Sequence, residues 1–379
     1  MDIINLEKFL KDNGEKDYRL KQIKKAMFVD LINDWDEATI LSKDLRGKIK
    51  KEFPILSLEV LNIIESKNKD SVKAVLKLKD GNIIETVLMR HLNTKEDDTK
   101  AGRNTVCVSS QAGCAMNCGF CATGKMGLKR NLTSEEIVDQ VLFFARWLKK
   151  WQGLALTSDV KARPCHERYE KVNNVVFMGM GEPFLNYDNT IQAIRILNDK
   201  DGFNLGIRHI SVSTCGIIPG IEKFAEENLQ VNLAISLHAA DDETRTKLMP
   251  INKTYPLAEL MKAVDGYIKK TNRKVMFEYL LIDGINDRPE DAINLAKLMK
   301  NSLYHVNLIK YHDTGLARNA SNLACEAGRA DFKPSPQAKR TQFFDTLKKL
   351  GVSATFRVSF GEDILAACGQ LAGKNNVLE

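Results

Sequence analysis

Three cysteines, Cys114, Cys118 and Cys121, fall within the single stretch Cys-Ala-Met-Asn-Cys-Gly-Phe-Cys. Thiolates are soft ligands, so three in one short loop suit a metal. A structural zinc generally closes with four ligands, and no fourth donor stands nearby in the sequence. Zinc completed by a distant residue is one reading, and chance clustering is another. The third is an iron–sulfur cluster, which cysteine-rich loops hold, here with three thiolates and one iron of a 4Fe–4S cluster left open to an outside ligand. Of the other cysteines, Cys107 sits in Val-Cys-Val and reads singly as a small buried hydrophobe. Cys368 precedes a glycine near the end of the chain and reads singly as structural. Cys165 adjoins His166, and one Cys-His pair has too few ligands for zinc. Cys215 and Cys325 suggest no chemistry of their own.

These groups must be positioned by regular elements. Strand-like runs recur at Thr105–Ser109, Asn174–Met178, His209–Thr214, Val231–Leu237, Lys274–Ile282, Val306–Tyr311 and Ala354–Phe360, with amphipathic helical stretches between them. Thr133 and Glu136 make a capping-box pattern before IVDQVLFFARWL. Repeated β-then-α units predict a parallel sheet with right-handed crossovers, flat or curved into a partial barrel. Residues 71–90 alternate around a turn at Asp80-Gly81-Asn82, and residues before about 60 read as helical. Two stretches, 152–171 and 314–338, are polar and read as long surface loops. The expected organisation is α/β: a helical accessory domain over 1–65, a β-rich extension and linker over 66–103, a partial, open TIM-type βα barrel over 104–360, and a C-terminal segment over 361–379.

Strand ends offer further groups. Phe177-Met178-Gly179-Met180-Gly181-Glu182-Pro183 closes one strand, its glycines suited to a close backbone approach. Ser213 ends the next, and Ser236-Leu237-His238 the one after. Active-site groups collect at strand C-termini in such folds.

The charge balance is mildly basic, 56 Lys and Arg against 49 Asp and Glu, which permits nucleic-acid binding without requiring it. Two basic clusters stand out: Lys16, Arg19, Lys21, Lys24 and Lys25, then Lys43, Arg46, Lys48, Lys50 and Lys51. Such runs usually form solvated helix faces; as phosphate contacts, Lys48, Lys50 and Lys51 would govern RNA affinity and its salt dependence. No apolar run approaches the roughly 18 residues of a membrane span. The acidic, polar start resembles neither a secretory signal nor a transit peptide, so a reducing cytoplasm is expected.

The Cys-x3-Cys-x-Phe-Cys motif with its βα series resembles the radical S-adenosylmethionine (SAM) superfamily. Gln111-Ala112-Gly113-Cys114 and Gly361-Glu362-Asp363-Ile364-Leu365-Ala366-Ala367-Cys368-Gly369-Gln370-Leu371-Ala372-Gly373 narrow it to the RlmN/Cfr family, whose pattern runs from Asp17 to Cys368. That resemblance implies a radical SAM RNA methyltransferase acting on carbon 2 of an adenosine in 23S rRNA and of a tRNA adenosine beside the anticodon. Cys114, Cys118 and Cys121 would hold the 4Fe–4S cluster. Gly181, Glu182, Ser213, Ser236, Leu237, His238 and His312 would contact SAM, with His312 standing where the family usually has Asn. Cys368 would carry the methyl as S-methylcysteine, Cys107 would release the product through a transient disulfide with Cys368, and Glu85 would accept the ring proton. As a glutamate on a strand, Glu85 reads otherwise as exposed. Two SAM molecules per turnover, protein-poor 23S rRNA, an electron donor such as flavodoxin or ferredoxin, and a monomer complete the implied picture. Within the family the alternative is methylation of carbon 8, of the kind that confers antibiotic resistance. From another class comes a non-enzymatic metal-cluster RNA-binding protein, which has no use for Cys107 and Cys368.

Overall fold

The computed structural model describes residues 3–91, 102–155, 171–314 and 332–373. Three helices open the chain: α1 (Ile3–Asp12), α2 (Tyr18–Phe28) and α3 (Lys43–Glu52). Ser42 caps α3 by accepting from the Leu45 N–H at 3.2 Å. The buried Trp35 indole donates to the Phe53 carbonyl at 2.7 Å, closing this unit on itself. Lys24 on α2 reaches Asp199 of the following domain at 2.6 Å.

A three-stranded antiparallel meander follows: β1 (Glu59–Glu65), β2 (Ser71–Lys77) and β3 (Ile83–His91). The hairpin read around Asp80-Gly81-Asn82 is present. Strand β1 is an addition to the helical reading of residues 1–65. Its register with β2 breaks between Val60 and Asn62, and this irregularity blurs the alternation by which a strand is read.

Strand β4 (Arg103–Cys107) pairs antiparallel with β3 and begins the parallel series. Six more parallel strands follow in spatial order: β7 (Asn174–Phe177), β8 (Ile210–Thr214), β9 (Asn232–Ser236), β10 (Val275–Leu281), β11 (Tyr304–Lys310) and β12 (Ala354–Phe356). Each coincides with a run expected from sequence. The intervening helices are α5 (Ser134–Ala155), α6 (Tyr187–Asn198), α7 (Ile218–Glu226), α8 (Asp242–Leu248) with α9 (Leu257–Thr271), α10 (Pro289–Leu298) and α11 (Gln337–Lys349). The expected capping box starts α5: Glu136 N–H donates to Thr133 Oγ1 at 3.2 Å, and Thr133 N–H donates to Glu136 Oε2 at 3.0 Å.

Strand alternation sorts side chains between core and barrel interior. On β10, Phe277 meets Tyr304 and Tyr279 meets Phe343 of α11, whereas Glu278 between them points inward. The sheet is open, with β1 and β12 at its edges. It is also curved. Residues of β3 through β11 line one cavity of about 220 Å³, whereas in a flat sheet those strands would lie about 29 Å apart at ~4.8 Å each. Among the described residues no helix is long and apolar enough to cross a membrane.

Candidate active site

The cysteine loop does not simply trail a parallel strand. It is the insert of a small hairpin, β5 (Gln111–Cys114) paired antiparallel with β6 (Gly127–Asn131), with the short helix α4 (Ala122–Lys125) inside it. Gly113 makes the pairing possible: at φ +76° it lies so close to Gly127 that a Cβ would sit 1.9 Å from the Gly127 carbonyl oxygen. The Gly119 N–H donates to the Leu248 carbonyl at 2.9 Å, pinning the loop to the barrel.

Cys114, Cys118 and Cys121 all line the cavity. Burial pushes the Cys114 thiol up to about 12 and the Cys118 thiol well above its usual range, and the neighbouring thiols add to both shifts. Thiols so placed ionise only when a cation takes the proton's place. Three thiols of one short loop facing one cavity are a donor set that would suit an iron–sulfur cluster. A compensating charge lies behind: the Arg245 guanidinium is fully buried, donates to the carbonyls of Cys215 (2.8 Å) and Leu237 (3.2 Å), and favours the thiolate of Cys118.

The expected SAM contacts gather on the same side. Glu182 is buried, and its Oε1 and Oε2 accept the N–H groups of Phe184 (3.0 Å) and Cys215 (2.7 Å), joining the ends of β7 and β8. Gly181 has φ +103°, and a Cβ there would lie 2.6 Å from the Gln111 side chain. The room that the glycine leaves is thus filled by Gln111, whose Oε1 accepts the Glu182 N–H at 2.8 Å. Ser213 and Ser236 line the cavity with their hydroxyls 3.4 Å apart. Leu237 does not line it; its side chain is core, so only its backbone can serve there. His238 lines the cavity in the left-handed region, φ 57°, a strained position for a non-glycine residue. Burial drops its pKa to about 3, and Nδ1 accepts the Leu280 N–H at 3.1 Å, so the neutral ring carries its proton on Nε2.

A second wall of the cavity holds Cys107, at the end of β4, and Cys368, which adjoins the cysteine loop. Both are free thiols, each pushed up to about 12 chiefly by burial, and a thiolate at Cys368 further disfavours one at Cys107. Cys368 counts as exposed, but the surface it presents is cavity wall. Its segment, residues 361–373, contains only the 3-10 turn Glu362–Ile364. Hydrogen bonds hold the rest: Ala122 N–H to the Gly369 carbonyl (2.7 Å), Thr123 Oγ1 to the Leu371 carbonyl (2.6 Å), Gln370 Nε2 to the Asp313 carbonyl (2.7 Å) and Lys73 Nζ to the Leu365 carbonyl (3.2 Å). The first two fasten Cys368 beside the cysteine loop.

Glu85 departs from its reading as an exposed residue. It is 3 % exposed and does not line the cavity. Its Oε2 accepts the Ala372 N–H at 2.8 Å, and its Oε1 lies 3.4 Å from Lys73 Nζ, so the carboxylate anchors the C-terminal segment. Neighbouring Val87 on the same strand does reach the cavity. His312 lines the cavity with a neutral, buried ring; Nε2 lies 2.8 Å from Ser359 Oγ and Nδ1 3.3 Å from Glu362.

Three cavity-lining or supporting groups were not singled out in the sequence, Glu278, Arg357 and Gln111, and Cys215, read as without chemistry, is buried and lines the cavity. Glu278 is buried inside the run VMFEYLL, and a charged residue in an apolar strand was the available signal. Cys165 and Cys325 lie outside the described residues, as do most of the two long polar stretches.

Comparison with known proteins now bears on this geometry. The radical SAM superfamily model matches residues 166–296, and the ribosomal RNA large subunit methyltransferase N-terminal domain matches residues 1–55. A probable dual-specificity RNA methyltransferase RlmN of Thermoanaerobacter sp. is 43% identical over 374 residues, covering 99% of this chain and 97% of that protein. The chain belongs to the RlmN family. Another member, from Chloroflexus aurantiacus, is 42% identical over 98% of this chain and 91% of its own length. The solved structure of a radical SAM methyltransferase from Sphaerobacter thermophilus superposes with a TM-score of 0.84 at 39% identity, covering 99% of this chain and 98% of that one. As a member of the RlmN family the chain is a SAM-dependent RNA methyltransferase of the radical SAM type. The family implies a 4Fe–4S cluster and SAM, and the three loop thiols with Arg245 behind them fit the cluster. The non-enzymatic reading falls.

Proposed function

We propose that the protein methylates carbon 2 of an adenosine in 23S rRNA and in tRNA, using Cys368 as the methyl carrier and Cys107 as the thiol that releases the product. The observation that carries this reading is that Cys107 and Cys368, from separate segments, line the same cavity as the three loop cysteines, with Cys215 a sixth cysteine in its lining. Cys114, Cys118 and Cys121 hold the cluster, which when bound supplies the electron that cleaves SAM to a 5′-deoxyadenosyl radical. Glu182, Ser213, Ser236 and His238 orient SAM from the strand ends, and His312 supports it from just beyond β11. Adenine carbon 2 is electron-poor and resists direct displacement on a methyl sulfonium, so a protein-borne carrier is needed. Cys368 presents its sulfur beside the cysteine loop, where SAM must lie. The 5′-deoxyadenosyl radical would take one hydrogen from the methyl on Cys368, and the resulting carbon radical would bond to ring carbon 2. The adduct would then give up one electron to the oxidised cluster and its ring proton to a base, for which Glu85 is the family's candidate. For that role the Ala372 hydrogen bond must open. Cys107 then attacks Sγ of Cys368, forming a disulfide and breaking the sulfur–carbon bond, while the carbon takes up a proton as methyl. A cellular reductant restores both thiols, which suits the cytoplasm. A monomer, protein-poor 23S rRNA, a flavodoxin- or ferredoxin-like electron donor and two SAM per turnover accompany this reading.

Anaerobic reconstitution with SAM and an rRNA fragment tests it. Wild-type protein yields 2-methyladenosine by nucleoside mass spectrometry, and Cys107→Ala accumulates RNA covalently bound to protein. Finding 8-methyladenosine alone would overturn the position, and absence of a mass gain of one methyl at Cys368 would overturn the carrier.

A further inference from the structure

Between the two walls runs a polar row that none of the roles above uses. Glu278 on β10 stands in register with Ser236 on β9 and Asn307 on β11, and Asn307 stands in register with Thr355 on β12. Asn307 Nδ2 donates to Glu278 Oε1 at 2.9 Å, Thr355 Oγ1 donates to Asn307 Oδ1 at 3.1 Å, and Arg357 Nη1 donates to Glu278 Oε1 at 3.2 Å. All of these hydrogen bonds serve to fix one oxygen. The other, Oε2, is buried and has no partner among the described residues, although Glu278 lines the cavity and is only 4 % exposed. An unpartnered buried carboxylate oxygen is destabilising until a ligand supplies a donor. Arg357 lines the cavity too, with its side chain 37 % exposed at the rim, beside Val358, which is 73 % exposed. This is the side open to a macromolecule.

Glu278 and Arg357 line the same cavity as Cys107 and Cys368, with Arg357 at its exposed rim, the side from which a base would enter.

We propose that Glu278 and Arg357 read the target adenine, Glu278 Oε2 accepting a hydrogen from the exocyclic amine and Arg357 donating to an adjacent ring nitrogen. Adenine offers a donor beside an acceptor along these edges, whereas guanine offers a carbonyl oxygen in place of the amine and would set lone pairs against the carboxylate. Asn307 and Thr355 are positioning residues that hold the acceptor in place. This assignment rests on the reading of the protein as an adenosine methyltransferase acting through Cys368.

The test compares an RNA hairpin bearing the target adenosine with the same hairpin bearing purine riboside, which lacks the amine. Equilibrium binding and RNA methylation are both measured with reconstituted protein. A base-reading pair is worth about 1–3 kcal/mol, so wild-type protein should favour adenosine by about 5- to 150-fold. Glu278→Ala should bind the two hairpins equally. Arg357→Ala, altered at the exposed rim where folding is spared, should also narrow the preference. Equal binding of both hairpins by wild-type protein, or an undiminished preference in Glu278→Ala, would overturn the proposal. So would failure of Glu278→Ala to take up a methyl on Cys368 from SAM without RNA, because that assigns the carboxylate to the cofactor. If wild-type protein prefers the amine in binding yet never methylates Cys368, the reading of the reaction fails while the base-reading pair stands.

Discussion

The two walls of the cavity are fixed by different means. Glu182, Ser213, Ser236 and His238 sit at or just beyond the ends of parallel strands, each locked by the ladder and by helices packed behind it. Cys368 sits on a segment with hardly any regular structure, tied down by side-chain and end-to-end hydrogen bonds to β2, β3, α4 and the loop after β11. The difference matches what each wall must do. Groups that hold a cofactor gain from rigid placement. On the proposed mechanism, a thiol that takes a methyl, bonds to RNA through it and then pairs with Cys107 must change partners, and segments with fewer backbone constraints open at lower cost.

Cysteine substitutions separate the walls most sharply. Cys118→Ala should lose the cluster's visible absorbance and all SAM cleavage. Cys368→Ala should keep the absorbance and lose RNA methylation by about 10⁴-fold or more, as expected for a covalent nucleophile. If Cys368→Ala also loses the chromophore, the walls are not separable and the comparison breaks.

Next in size is the anchor of the irregular wall. Lys73 and Glu85 are a buried pair, 4 % and 3 % exposed. Lys73→Met leaves Glu85 without its cation, and breaking a buried pair costs about 3–5 kcal/mol. Urea denaturation should register that loss, and iodoacetamide should label Cys368 faster as the segment loosens. Adding Glu85→Gln should recover part of the stability. Unchanged labelling would mean that the segment is held by its contacts with α4 alone.

A smaller effect probes the rigid wall. The folded pKa of His238, about 3, lies far below the ordinary 6.5. Below pH 6.5 the unfolded chain takes up a proton that the folded chain refuses, so this residue's contribution to stability falls as pH drops from 6.5 toward 3. At pH 5 the loss is about 2 kcal/mol. His238→Asn tolerates the left-handed backbone and removes the titration, so its melting temperature should fall less than the wild type's between pH 7 and pH 5. Parallel declines would place the acid sensitivity elsewhere.

The rigid wall was also the more legible in sequence. Alternating β and α patterns gave the seven parallel strands, and cysteine spacing gave the loop. The β5–β6 hairpin was missed because Gln111–Cys114 and Gly127–Asn131 are too short and too rich in glycine and charge to alternate. Glu278 was missed because its meaning lies across the sheet, in Asn307 and Arg357, which are 29 and 79 residues away along the chain. Glu85 was misjudged as exposed because the segment that buries it arrives 287 residues later. Periodicity reports which residues share a face, whereas burial by a distant irregular segment leaves no periodic trace.

The least effect is expected far from both walls. The basic clusters on α2 and α3 suggested phosphate contacts, but six of their ten cations already meet carboxylates: Arg19 with Glu15, Lys21 with Asp201, Lys24 with Asp199, Lys25 with Asp30, Lys48 with Asp44, and Lys50 with Asp34 and Asp36. Three full phosphate contacts would contribute roughly 2–3 to the slope of log affinity against log salt. A lysine shared with an aspartate offers less charge and releases fewer counterions. Neutralising Lys48, Lys50 and Lys51 together should therefore lower the slope by less than about 1 and leave Cys368 methylation untouched. A fall near 3 would mean that RNA displaces the aspartates. The N-terminal helices would then act as a third docking wall, and RNA affinity would be set there instead of at the mouth of the cavity.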